Sequence, residues 1–275
     1  MKLKSILAAG IASVGLTTAA NAVDVDVELL LLSDSSGSIN TSDFDLYMDG
    51  YAAAFRDSDL TNAIADGVFG SIAVSLAFFS DAGQQVQSIG WTLIDSVATA
   101  NAFADAIDAV TRPFSSSTGI ARGLDFGAGL FANNNFDGTR NVIDLVADGS
   151  ESVDCNFRSA VCAPVQAARD NALAGDVDVI NALLVEDDPF FGDDLSDDIL
   201  AVPYAQNNII GGPDSFAILV SGFSEFEPAI TSKLTREIAP PSPTLPSVPL
   251  PASLPMLAAG AGALAIMARR RKLAS

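Results

Sequence analysis

The sequence has no histidine among its 275 residues. This absence excludes the serine–histidine–aspartate and cysteine–histidine forms of nucleophilic catalysis, as well as the usual histidine-bearing catalytic zinc sites. Cysteine is almost absent too, since Cys155 and Cys162 are the only two. Two thiolates without histidine cannot close a tetrahedral zinc site. Their close spacing therefore predicts a disulfide in an oxidising compartment.

The first 22 residues have the composition of a targeting segment. Lys2 and Lys4 precede an apolar run over residues 6–16, and Ala20-Asn21-Ala22 forms the small-x-small pattern that signal peptidases cleave. This arrangement predicts a secretory signal peptide at residues 1–22. The alternative, a short membrane anchor, requires a longer apolar run than this one.

The C-terminal residues have a different composition. A proline-rich linker, residues 240–253, leads to an apolar stretch at 254–268, and four basic residues follow at 269–272. Such a pattern in residues 254–275 is typical of membrane retention. The stretch is shorter than the roughly 20 residues of a full span, which favours transient membrane association over a permanent anchor. An ordinary single-pass anchor is the alternative.

The linker also contains Val248-Pro249-Leu250-Pro251-Ala252. This segment, which precedes the apolar stretch and the arginines, resembles the VPLPA variant of the PEP-CTERM sorting signals. The resemblance implies that an exosortase-type sorting enzyme removes the tail and passes the protein to the cell surface or beyond it.

Acidic residues dominate the part of the chain between these two segments. Six of the 14 basic residues lie in the terminal segments, which contain no acidic residue, so residues 23–239 hold 8 basic and 34 acidic residues, a net charge of −26. Nucleic acid and anionic membrane surfaces would be repelled by such a body. Cations and cation-bridged partners are compatible with it, and so is a simple role of the charge in solubility.

Residues 23–239 form one predicted domain in which buried strands alternate with amphipathic helices. Strands are predicted at 25–32, 71–79, 84–91, 140–146, 177–185 and 215–220. Helices are predicted at 95–110, 118–131, 163–174, 195–205 and 223–238, with a further one that starts at a cap at Thr41 or Ser42. The order predicts an α/β fold with a doubly wound, mostly parallel sheet and helices on both faces, and a ligand site at the carboxyl ends of the strands.

Oxygen-bearing side chains follow the first of these strands, at Asp34, Ser36 and Ser38. One carboxylate and two hydroxyls at alternate positions of a turn can converge on a hard cation, and Gly37 allows the turn to bend tightly. Magnesium suits such a half-shell of oxygens, with calcium or manganese as alternatives. The alternative without a metal is an Asp/Ser helix cap.

This Asp-x-Ser-x-Ser pattern resembles the metal-ion-dependent adhesion site of von Willebrand factor A domains. That family adds a threonine from a second loop and an aspartate from a third, and Thr118 and Asp148 occupy those places. Ser115 to Ser117 stand where the family has glycines, which leaves open which hydroxyl of this loop is the ligand. Stretches including residues 72–91, 208–213 and 233–238 resemble an uncharacterised family of exported bacterial proteins within this superfamily.

The resemblance implies an exported or cell-surface binding protein, not an enzyme. Its divalent cation, held by Asp34, Ser36, Ser38, Thr118 and Asp148, would bind a carboxylate of a protein partner. Two alternatives stay open: a structural component of an extracellular matrix or surface layer, and a metal-assisted hydrolase in which the same cation activates water. The acidic stretch 186–198 is either a solvated loop or a second calcium site.

Overall fold

The computed structural model describes residues 22–156, 159–186 and 202–239. The linker, the C-terminal segment, and all but one residue each of the predicted signal peptide and the acidic stretch 186–198 lie outside these ranges. Among the described residues, no helix combines the length and the apolar character needed to cross a membrane.

Eight strands and seven helices are described. The strands are β1 (Val23–Val25), β2 (Val27–Asp34), β3 (Ile72–Phe79), β4 (Gln85–Ile94), β5 (Phe136–Gly138), β6 (Asn141–Ala147), β7 (Val179–Val185) and β8 (Ala217–Val220). The helices are α1 (Thr41–Arg56), α2 (Ser58–Ala65), α3 (Val97–Asp108), α4 (Ile120–Gly129), α5 (Ala163–Ala174), α6 (Val202–Tyr204) and α7 (Phe226–Ile238). A π-helical turn (Ala205–Ile209) follows α6, and a short 3-10 turn (Phe223–Glu225) precedes α7.

Six strands form the central sheet in the order β4-β3-β2-β6-β7-β8. All neighbouring pairs are parallel except β3 and β4, which are antiparallel. Every residue of β2, β3 and β7 is buried, as expected for strands covered by helices on both faces. The predicted mostly parallel, doubly wound α/β fold is confirmed.

The two faces of the sheet bury separate apolar clusters. One face packs under α1, α2, α3 and α7, with alternate β2 residues such as Leu29 and Leu31. The other packs under α4, α5 and the turn at 205–209, with Leu30 and Leu32. Because side chains of a strand alternate between faces, the continuous leucine run of β2 supplies both clusters at once.

Several element boundaries differ from the sequence prediction. α1 is capped by Asn40 and not by Thr41 or Ser42, because the Asn40 side chain accepts hydrogen bonds from Ser42 N at 2.8 Å and Asp43 N at 3.1 Å. β4 is longer than predicted. The predicted helix at 118–131 begins only at Ile120, since both backbone polar groups of Thr118 are bonded to Ser152.

A buried charged cluster joins α7 to the sheet. The Lys233 ammonium lies 2.7 Å from a carboxylate oxygen of Asp144 on β6 and 2.7 Å from one of Glu237, and all three side chains are buried. Asn181 on β7 donates a hydrogen bond to Glu237 at 2.8 Å. Burial and the charge of Asp144 together raise the pKa of Glu237 to about 8, although Lys233 opposes the shift. This shift favours the protonated form of Glu237 at neutral pH.

This proton makes stability depend on pH. The folded domain keeps the Glu237 proton up to about pH 8, whereas an unfolded chain releases it near its ordinary pKa of 4.5. The unfolding free energy should therefore be highest below pH 4.5 as far as this group is concerned. It should fall as the pH rises towards 8, by at most about 1.4 kcal/mol per pH unit. Glu237→Gln, which mimics the protonated side chain, should flatten this slope.

Chemical denaturation of both proteins between pH 5 and 8 measures the difference. Titrating groups outside this cluster contribute equally to the two proteins, so subtraction isolates the cluster of Glu237, Asp144 and Lys233. Parallel curves for the wild type and the variant would show that Glu237 is ionised in the folded domain.

Candidate metal centre

The order of strands reverses between β2 and β6. From β2 the chain continues to β3 on one side, and from β6 it continues to β7 on the other. Such a switch point opens a crevice at the carboxyl ends of the two strands, where doubly wound folds bind ligands. Asp34 is the last residue of β2, and Asp148 follows the last residue of β6. The topology thus brings two predicted ligands to the same crevice.

The first loop of the crevice directs three oxygen-bearing side chains together. The Asp34 carboxylate accepts a hydrogen bond from Ser36 N at 2.6 Å, and the hydroxyls of Ser36 and Ser38 lie 3.2 Å apart. Asp34 and Ser36 are buried, whereas Ser38 is exposed. These three side chains therefore extend from the protein interior to the surface.

The second loop, residues 109–119 between α3 and α4, packs through its backbone against the first loop, residues 35–40 between β2 and α1. Gly37 N donates to Ser116 O at 2.6 Å, and a Cβ on Gly37 would lie only 3.3 Å from that oxygen. Ser80 fixes the second loop from below, because its hydroxyl accepts from Ser116 N at 3.1 Å and donates to Ser117 O at 3.0 Å. These bonds hold the two loops at close contact.

Thr118 is the hydroxyl of the second loop that reaches the third. Its side chain is 8% exposed, and its Oγ1 lies 4.0 Å from the position that a Cβ on Gly149 would occupy. By contrast, Ser116 donates its hydroxyl to Asp81 at 3.0 Å, and Ser115 and Ser117 are exposed. Of the four hydroxyls that the sequence left open, the structure places that of Thr118 beside the loop of Asp148.

The third loop, which starts at Asp148 after β6, is bonded to the second by Ser152 and Glu151, neither of which was predicted. Thr118 N donates to the Ser152 hydroxyl at 3.0 Å, and Ser152 N donates to Thr118 O at 2.8 Å. The buried Glu151 carboxylate accepts from the backbone of Ala121 at 2.9 Å, Val153 at 2.8 Å and Asp154 at 3.0 Å. Glu151 therefore holds the start of α4 and the third loop together.

The two aspartates of the crevice interact unfavourably with each other. Burial raises the pKa of Asp34 well above its usual range, and the negative charge of Asp148 raises it further. The hydrogen bond from Ser36 opposes the shift without cancelling it. A bound cation would reverse this balance, because it favours the ionised form of both carboxylates.

Arg112 is a further charged residue at the crevice that the sequence reading did not single out as functional. Its guanidinium Nη2 donates to the backbone carbonyls of Ser35 and Ser36 in the first loop. Burial lowers the pKa of Arg112, while the charges of Asp34 and Asp148 oppose that shift. Arg112 directly precedes a proline in the second loop. This local sequence does not predict an interaction with the aspartates of the other two loops.

The structure thus joins the loops that carry the predicted ligands Asp34, Ser36, Ser38, Thr118 and Asp148. Within the described ranges, no three acidic or cysteine side chains are grouped so as to hold a metal ion. The donors here are instead three hydroxyls and two carboxylates.

Cys155 and Cys162 form a disulfide in the segment between β6 and α5. The proposed second calcium site at 186–198 falls almost wholly outside the described residues.

Residues 24–242 match the model of the family described as "Protein of unknown function (DUF1194)". The chain belongs to this family. The comparison with curated proteins gave no match.

Solved structures resemble the DUF1194 domain in fold. The pilus adhesin SpaC from Lactobacillus rhamnosus GG superposes with a TM-score of 0.51 and 15% identity over 79% of this chain and 31% of its own. Proximal thread matrix protein 1 from the mussel byssus, with a zinc-occupied MIDAS motif, superposes with a TM-score of 0.51 and 16% identity over 80% of this chain and 49% of its own. This chain spans less than half of either protein. The fold is von Willebrand factor A-like.

Glu151 should be a major contributor to the stability of the crevice. Glu151→Ala leaves three backbone N–H groups without their acceptor, of which that of Ala121 is buried and those of Val153 and Asp154 are partly buried. A fully buried group of this kind costs about 1–3 kcal/mol. We expect the unfolding free energy measured by chemical denaturation to fall by about 2 kcal/mol or more. Glu227→Ala, which removes an exposed carboxylate from the first turn of α7, is the control and should cost less than about 1 kcal/mol. Equal effects of the two substitutions would contradict the anchoring role of Glu151.

Proposed function

We propose that this domain is an exported or cell-surface binding module. It uses a divalent cation, with magnesium as the favoured ion, to bind a carboxylate of a protein partner. Asp34, Ser36 and Ser38 of the first loop, Thr118 of the second and Asp148 of the third hold the ion. The signal peptide and the sorting tail predicted from the sequence support a location outside the cytoplasm.

The proposal depends chiefly on the state of Asp34. Its side chain is fully buried at the end of β2, and Oδ2 accepts no hydrogen bond from any described residue. A buried carboxylate without full hydrogen bonding is costly unless a positive charge compensates it. The hydroxyls and the carboxylate that surround this position are all oxygen donors, which are the ligands preferred by magnesium and calcium.

The donor set also explains why such an ion would bind an acidic partner. Three of the five donors are neutral hydroxyls, and only two are carboxylates. An ion held in this way keeps much of its positive charge and favours a further negatively charged ligand. Because Ser38 is exposed, that ligand can approach from the open end of the crevice.

The similar structures support an adhesive role. One of them is a pilus adhesin, and another carries zinc in a MIDAS motif. Both share with this domain the fold on which the crevice is built. The same fold in two extracellular proteins is compatible with the export predicted from the chain ends.

A second candidate function is that of a structural component of an extracellular matrix or surface layer. It is favoured by the likeness to a thread matrix protein and by the sorting tail predicted from the sequence. The two functions differ in self-association, which only the structural role requires. Light scattering of the purified protein with and without magnesium or calcium separates them, since a binding module stays at constant mass.

Replacing Asp34 by asparagine should have opposite effects with and without a cation. Asp34→Asn keeps the acceptor for Ser36 N and removes the buried charge that repels Asp148. The variant should therefore unfold at a higher temperature than the wild type in EDTA. Magnesium or manganese should raise the unfolding temperature of the wild type but not that of the variant. Both effects are measured by thermal unfolding with and without about 10 mM cation. A concentration of this order occupies even a weak cation site.

The matched control is Asp137→Asn, an exposed aspartate of β5. It should respond to the cation as the wild type does. A cation-induced shift that persists in Asp34→Asn would place the binding elsewhere and reject the proposed site. Once a partner is known, its binding should be lost in Asp34→Asn and in EDTA.

A further inference from the structure

Arg112 is built into the proposed metal centre by contacts that fix its position. Its Nη2 group donates to Ser35 O at 3.2 Å and also to Ser36 O. Its Nε atom is buried and has no hydrogen-bond partner among the described residues. The guanidinium is therefore held against the first loop by Nη2, while its Nε donor stays unpaired among the described residues.

The charged groups that act on Arg112 are the two aspartates of the crevice. Burial disfavours the ionised guanidinium, and among the described residues the charges of Asp34 and Asp148 favour it. The Nη2 contacts hold the guanidinium against the backbone of Ser35 and Ser36, the two residues that follow Asp34. The same guanidinium must then repel any cation that the two aspartates hold.

We propose that Arg112 sets the net charge of the metal centre: it weakens the binding of the free cation and keeps the loaded site positive. This inference rests on the proposed function, since it concerns the same cation. With two ionised aspartates, a divalent cation alone gives a neutral site. Arg112 brings the sum to one positive charge.

A positive site matters because the rest of the domain is strongly acidic. Residues 23–239 carry a net charge of −26, which repels an acidic partner at long range. Without Arg112, the formal charges of the cation and the two aspartates cancel, so the attraction of an acidic partner is limited to short-range contact with the ion itself. A fixed guanidinium next to the ion supplies that attraction where the carboxylate of the partner arrives.

Arg112 also positions the first loop, but other bonds hold that loop as well. Ser35 N and the Ser35 hydroxyl both contact Phe79 O, at 2.9 and 3.2 Å, and Gly37 N donates to Ser116 O at 2.6 Å. Loss of the guanidinium therefore leaves the loop anchored on both sides. The removal of a positive charge beside a divalent ion is the larger effect, because it acts directly on the ion.

Cation affinity tests this role without knowledge of the partner. Magnesium and manganese are titrated into the purified protein by calorimetry at constant ionic strength. Arg112→Gln should bind both ions about tenfold more tightly than the wild type, as expected for the loss of one unit charge near a divalent ion at a partly solvated site. Arg112→Lys keeps the charge and should retain an affinity close to that of the wild type. Arg112→Met is a second neutral variant and should reproduce the gain.

Arg56→Gln is the matched control, because it makes the same charge change at the far end of α1. The 16 residues of that helix separate Arg56 from the first loop by roughly 24 Å, which exceeds the screening length at physiological salt. Its cation affinity should equal that of the wild type. Circular dichroism confirms that each variant is folded before titration.

The outcomes separate this inference from the proposed function. If the wild type binds neither ion, the proposed function fails. If the wild type binds but both neutral variants bind equally or more weakly, Arg112 is not an opposing charge and the inference is overturned. The inference is also overturned if Arg112→Lys gains affinity as much as Arg112→Gln, because charge would then not be the cause.

Discussion

Asp34 and Asp148 are two carboxylates of like charge that the topology of the sheet forces together. Asp34 is the last residue of β2, and Asp148 directly follows the neighbouring strand β6. The strand order reverses between these two strands. Burial and mutual repulsion make the ionised form of Asp34 costly. The loops around the crevice can be understood as the framework that keeps this unfavourable pair in place.

That framework consists largely of backbone hydrogen bonds between loops. Ser116 O accepts a hydrogen bond from Gly37 N of the first loop. Thr118 forms two hydrogen bonds with Ser152 of the third loop. Ser80 and Glu151 contribute side chains that satisfy several backbone N–H groups from within the protein. Few of these bonds depend on the side chains proposed as ligands. The ligands can therefore vary in charge without loss of the loop arrangement, and this separation of scaffold from donors suits a site whose function is binding.

Much of the fold could be predicted from the sequence because its signals are local. The apolar run of β2 identifies a strand buried on both faces, and α5 was predicted with its observed bounds. Asp34, Ser36 and Ser38 are adjacent in the chain, so their convergence is a property of one turn. Thr118 and Asp148 were found only through the resemblance to a known motif, since nothing local links them to Asp34.

Features that depend on tertiary contacts were missed. The two-stranded sheet of β1 and β5 pairs three-residue segments more than a hundred residues apart, which are too short to show a period. Asp144 interrupts an apolar strand, and Lys233 lies on the buried side of α7. Each residue is a weak anomaly alone, and only the packing of α7 on β6 shows that they neutralise each other. Arg112 was missed for the same reason. Its side chain contacts the backbone carbonyls of the first loop, and a contact with backbone atoms leaves no pattern in the sequence.

The burial of Lys233 has a chemical consequence for the whole domain. It is the single lysine between residues 5 and 271, and its side chain has no exposed surface. The folded domain therefore presents no side-chain amine to acylating reagents, carbonyl compounds or enzymes that form isopeptide bonds. Its positive surface charge comes from arginines, which are far weaker nucleophiles because they stay protonated at physiological pH. Any covalent linkage of this domain to a surrounding matrix must therefore use a group other than a lysine of the folded body.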